Sequence, residues 1–96
     1  MLHLIFQFPF QARALERTGA GDALLFLENA VFTLLNASAQ APLLNELAAT
    51  RQLYVLESDL EIRGLAVSRL ISEVKHIDYA GFVTLTTQHK ATCSWS

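Results

Sequence analysis

The stretch ALLFLE, residues 23–28, is apolar at five positions in a row, with none of the alternation a half-buried strand shows. A run this short, entered through the turn-forming AGD, reads as a strand buried on both faces. Strands of that kind belong to parallel sheets covered by helices.

Working outward, LHLIF before it and QLYVLE (residues 52–57) after it read as further short buried strands, and KHIDY as a short last strand around Ile77. The intervening segments favour helix. PFQARALERTG carries Ala14, Leu15 and Arg17 and stops at Gly19. NAVFTLLNAS places Val31, Leu34 and Leu35 at helical spacing behind Asn29 as N-cap. APLLNELAAT adds a turn or two, SDLEIRGL starts on a capping Ser58 or Asp59 and breaks at Gly64, and VSRLISEV is helical or irregular. AGFVTLTTQH is rich in residues that favour strands, yet Phe82, Leu85 and His89 recur three and four apart. Helix is the reading, with a strand left open. Alternating strands and helices predict a small three-layer α/β sandwich, with a mostly parallel sheet of about four to five strands and helices on both faces. No repeat or linker divides the chain, so a single domain over residues 1–96 is expected.

The hydrophobic fraction is 52% and the charged fraction only 17%, against roughly 25% in a typical soluble domain. A small domain has much surface for its volume, so this shortage of charge leaves apolar side chains outside, and such area marks a partner surface. The net charge of −2 and the scatter of seven basic residues exclude a phosphate-gripping footprint, so direct binding of nucleic acid is not expected. The longest apolar run, ALLFLENAVFTLL, is interrupted by Glu28 and Asn29 and is too short to span a bilayer. MLHLIFQFPF lacks the features of a secretory signal. The cytoplasm, without membrane attachment, is the expected location.

Cys93 is the only cysteine, so an internal disulfide and a cysteine-based metal cage are excluded. It is also the only candidate for a catalytic residue. An ordinary thiol is mostly protonated at neutral pH and needs a fixed cation or base beside it. His89 and Lys90 are near in sequence, but chain ends fray, so an inert thiol on a loose tail is the expectation. On a helix His89 and Cys93 would share a face, and His3 and His76 could join them only by chance of folding, so no metal is expected. The Gly19–Gly21 pair in TGAGD precedes a strand and lacks the lysine of a phosphate loop, which makes it a turn. Glu57, Asp59 and Glu61, with Arg63, follow the QLYVLE strand, where open α/β sheets gather ligands. The plainer account is a helix start dressed with acids that suit its dipole. No cofactor is expected.

Several phrases stand in a familiar order. MLHLIFQFPF, GDALLFLENAVF, LYVLESDLEIRGL, IDYAGFVTLTTQH and Trp95 together resemble the TusB/DsrH family over nearly the whole chain. The resemblance implies a DsrE/F/H-like fold. It also implies a non-catalytic role beside TusC-like and TusD-like subunits in a heterohexamer that passes persulfide sulfur to a TusE-like acceptor, for 2-thiouridine at the tRNA wobble position. In the Dsr branch a similar complex serves dissimilatory sulfur oxidation. The main sulfur-carrying cysteine of the relay belongs to the TusD/DsrE partner. Proteins of the DsrH branch carry a further cysteine near the position of RALER, where Ala14 and its neighbours offer no thiol, which favours the TusB branch. Arg63, Gly64, Asp78 and Tyr79 match family phrases and are expected to act structurally. Two rival readings stand beside this one: a sulfurtransferase using Cys93 itself, and a homo-oligomer binding a small ligand beside Asp59 and Arg63.

Overall fold

The computed structural model describes residues 1–6 and 18–95. Five strands form one sheet: β1 (Leu2–Ile5), β2 (Ala23–Phe26), β3 (Gln52–Leu56), β4 (Val74–Ile77) and β5 (Thr92–Trp95), in the order β4-β3-β2-β1-β5. Every neighbouring pair is parallel. A 3₁₀ segment (Glu28–Leu34) follows β2, α1 (Ala41–Leu47) precedes β3, α2 (Glu57–Ile62) follows it, and α3 (Tyr79–Gln88) connects β4 to β5. The PFQARALERTG helix lies outside the described residues, apart from its closing Thr18 and Gly19.

Side chains alternate across a strand, so the register sorts them onto two faces. His3, Leu24, Leu53 and Val74 form one row, and Ile5, Phe26 and Val55 the next. With Trp95 they face the 3₁₀ segment, α1 and α2, whose Ala30, Val31, Leu34, Leu44 and Leu60 complete the larger core. Leu2, Ala23, Leu25 and Leu56 point the other way, onto Leu27, Phe82 and Leu85. All four β2 residues are buried, which is why ALLF is apolar throughout. Each fully buried Leu or Phe contributes roughly 1.5–3 kcal/mol relative to exposure. The three-layer α/β sandwich with a parallel sheet is therefore the observed fold.

Local chemistry explains most boundaries. Pro42 stands in the first turn of α1, where its missing N–H is not needed. Gly64 ends the α2 region at φ +66, a left-handed value that glycine adopts freely. Asp78 caps α3, its Oδ1 accepting the Gly81 N–H at 2.8 Å. Helix wins over strand in α3 despite its threonines, because Phe82 and Leu85 then reach the second core together.

Three expectations are corrected. KHIDY does contain a strand, β4, but it is not the last: the tail TCSW is ordered as β5, paired with β1 along its length. NAVFTLLNAS is a 3₁₀ segment rather than an α-helix, and Leu27, not Asn29, stands at its N-cap. Leu56, not Ser58 or Asp59, holds that position in α2, with no side-chain cap. VSRLISEV, expected to be helical or irregular, bears that out as a short 3₁₀ turn at Val67–Arg69 followed by irregular chain up to β4.

Candidate functional site

At the carboxyl ends of β2 and β3 the chain brings two distant phrases together. Asp59 Oδ2 accepts the backbone N–H of Glu28 at 2.8 Å. Arg63 donates from Nη1 to Asp59 O at 3.2 Å and Oδ1 at 3.4 Å, and from Nε to Asn29 Oδ1 at 3.1 Å. Asp59 and Arg63 retain only 13% and 19% of their side-chain exposure, while Glu57 and Glu61 face solvent. Glu28 sits at φ +51, a conformation that side chains with a Cβ rarely adopt. The acidic group therefore divides: Asp59 clasps a strained turn, Arg63 braces the clasp, and the two glutamates are surface charges. Sequence order alone could not separate them, because the partner of Asp59 is a backbone amide 31 positions away.

A second constellation lies where β1 pairs with β2 and β5. His3 is 3% exposed. Trp95 Nε1 donates to His3 Nδ1 at 3.0 Å, and His3 Nε2 meets Asp22 Oδ2 at 2.9 Å. Indole can only donate, so Nδ1 is the bare nitrogen, and Nε2 carries the proton that it shares with Asp22. The rings also stack, centroids 6.2 Å apart. Asp22 further accepts from the Gly19 N–H at 2.9 Å and from the Met1 amino group at 2.9 Å. These bonds hold its carboxyl far below the usual carboxylate range, the Gly19 amide first, against an opposing push from burial. TGAGD is accordingly a turn, with Gly21 at φ +86 and Asp22 folded back onto Gly19.

Cys93 is a free, half-buried thiol on β5, in register with His3. Its placement in a sheet replaces the loose tail expected from the sequence. Both ring nitrogens of the neighbouring His3 are committed, to Trp95 and Asp22, which leaves that imidazole no free nitrogen to activate a thiol. His89 ends α3 and Cys93 lies in the following strand, so the two share no helix face. His76 is on β4, at the opposite edge of the sheet. Among the described residues no group of three or more His, Cys, Asp or Glu could hold a metal ion. Asp78 is the cap of α3, and Tyr79 beside it is 71% exposed, edge-on to Phe82.

Residues 9–92 match the family model described as DsrH like protein. The chain belongs to the TusB/DsrH family. Protein TusB of Serratia proteamaculans is 39% identical, the alignment covering 99% of this chain and all of the relative. Protein TusB of Erwinia tasmaniensis is 34% identical, with coverage of 99% and 100%. Among solved structures, MTH1491 of Methanobacterium thermoautotrophicum superposes with TM-score 0.77 at 14% identity, over 98% of this chain and 96% of that one. The ychN protein of E. coli gives 0.73 at 12%, over 98% and 97%. At such identities the superpositions speak for the fold alone. Within the TusB/DsrH chain described here, the LEN and DLEIRG phrases meet at the Asp59–Glu28 bond, and the first LH meets the last W at the His3–Trp95 bond.

Among the described residues no helix is long and apolar enough to cross a membrane.

Proposed function

We propose that this chain is a non-catalytic subunit of a cytoplasmic TusBCD-type sulfur relay that serves 2-thiouridine formation at the tRNA wobble position. Its companions are TusC-like and TusD-like chains in a heterohexamer, with a TusE-like protein downstream. The observation that carries this reading is full-length similarity to Protein TusB from several bacteria. In each relay step an acceptor thiolate attacks the outer sulfur of a persulfide, the S–S bond breaks, and the donor leaves as a thiolate. The TusD-like partner supplies the carrier thiol, and this chain supplies packing.

The surface supports the same reading. α3 contains no charged residue and buries only Leu85, while Tyr79 and Val83, one turn apart, are 71% and 49% exposed. Such a face suits a protein partner better than water. Affinity purification from cells should recover TusC-like and TusD-like chains, and Tyr79→Asp with Val83→Glu should weaken that recovery. Deleting the gene should abolish wobble 2-thiouridine, measured by mass spectrometry of digested tRNA, and Cys93→Ser should restore it fully. Purification of the chain by itself, or loss of thiolation in an intact Cys93→Ser complex, would overturn the proposal.

A further inference from the structure

His3 is a titratable ring in the interior, 3% exposed, and the sulfur chemistry proposed above makes no use of it. Trp95 Nε1 donates to its Nδ1 at 3.0 Å, and its Nε2–H is shared with Asp22 at 2.9 Å, so both nitrogens are spent. A second proton has one place to go, Nδ1. Two N–H groups would then meet head to head, because the indole nitrogen can only donate. On the other side the same proton does the reverse: the bond to Asp22 becomes one between imidazolium and carboxylate, which is stronger. Protonation therefore pushes on Trp95 alone.

Among the described residues, the titratable groups that face the ring are Asp22 on the chain entering β2, the Met1 amino group on the same carboxylate, and the Cys93 thiol in register on β5. Leu24, beside His3 on β2, is apolar. Arg51, at the entry to β3, is turned onto Thr18, and Lys90, at the entry to β5, is exposed. The carboxylate in this set, Asp22, stands on the Nε2 side. β5 is poorly placed to resist the push. It is an edge strand of four residues, none of them fully buried, and Trp95 is its contact with the larger core. Elements held by so little burial are the first to open.

We propose that the His3–Trp95 bond is a proton-sensitive lock on the edge of the sheet: a proton on Nδ1 of His3 expels the indole, and β5 parts from β1 starting at its carboxyl end. Opening uncovers the Cys93 thiol and leaves the backbone edge of β1 unpaired. Asp22, whose carboxyl is held far below the usual carboxylate range, stays ionised while the ring titrates.

The test is NMR of the full chain, within its native assembly if it purifies with companions, between about pH 8 and about pH 5, the span over which imidazoles ordinarily titrate. Nitrogen shifts of the His3 ring report its protonation, and amide exchange is read relative to an unstructured peptide at the same pH. The Phe6 N–H, which donates to Trp95 O, should lose about tenfold of its protection or more as the ring takes up its second proton. The Leu27 N–H, which donates to Ile5 O on the other side of β1, should keep its own. His3→Gln, which has no ring to protonate, should hold Phe6 protection level across the range. Trp95→Phe has no N–H to expel, so its Phe6 protection should be low and equally level, and it decides the matter if the glutamine variant fails to fold. The proposal is overturned if His3 gains its second proton with Phe6 protection unchanged, if the ring stays singly protonated to about pH 5, or if either variant shows the same drop as the parent.

Discussion

Trp95 donates its indole N–H to Nδ1 of His3 across 92 positions of sequence, and this bond ties the edge strand β5 to the interior of the sheet. The two strands are already paired through their backbones, with Phe6 N bonded to Trp95 O at 3.0 Å. The side-chain bond adds what a ladder cannot. It fixes the tautomer of a buried imidazole and, through it, the orientation of Asp22 at the start of β2.

Trp95→Phe keeps most of the stacked ring and removes the donor, leaving Nδ1 of His3 unpaired in the interior. The expected loss is about 1–3 kcal/mol, concentrated in β5. Amides of residues 92–95 should exchange faster, and the Cys93 thiol should react faster with a disulfide reagent. Unaltered thiol reactivity would show that Trp95 does not hold the edge.

The Asp22 carboxylate makes a pH-dependent contribution whose sign follows from its partners. Its folded pKa is depressed, first by the Gly19 amide, so the folded state binds the proton more weakly than the unfolded chain. Stability from this group is complete above the unfolded value of about 4, and falls away as pH drops toward the depressed folded value. The urea midpoint of the parent should fall more steeply than that of Asp22→Asn between about pH 5 and about pH 2. Parallel curves would contradict the assignment.

Thr33 is 1% exposed, and its hydroxyl has no hydrogen-bond partner among the described residues. Valine has nearly the same shape without the polar atom. Thr33→Val should therefore raise stability by about 1 kcal/mol, read as a higher thermal midpoint. A decrease would mean that the hydroxyl is satisfied in solution.

Gly81 is close-packed rather than conformationally special. A Cβ there would stand 2.9 Å from Ile77 Cβ, nearer than real contacts allow. Alanine gains about 1 kcal/mol of helix propensity, but overpacking costs about 1–3 kcal/mol, so the clash wins. Gly81→Ala should lower the thermal midpoint, and an unchanged midpoint would show that β4 and α3 can separate easily.

The sheet was legible because its two central strands are apolar along their length: ALLF and LYVL cannot be placed except between covering layers. The helix α3 was legible from Phe82 and Leu85 against the local propensity of its threonines, since burial outweighs a weak intrinsic preference. β5 was not legible, because TCSW carries too little apolar surface to announce a strand, and its order comes from β1 and from the bond to His3. The 3₁₀ segment was misread as an α-helix for a related reason. The same apolar spacing suits both, and the bonds at the two ends of the segment come from Asp59 and Ile71, residues far along the chain.

By itself the sequence settled the layered α/β class, the two-faced burial of the central strands and membership in the TusB/DsrH family, since these rest on patterns of adjacent residues. Tertiary structure alone decided which polar residues act together. His3 with Trp95 and Asp59 with Glu28 are joined by directional bonds near 3 Å. Bonds of that kind depend on how strands are ordered and registered, and no local pattern of residue types encodes that order.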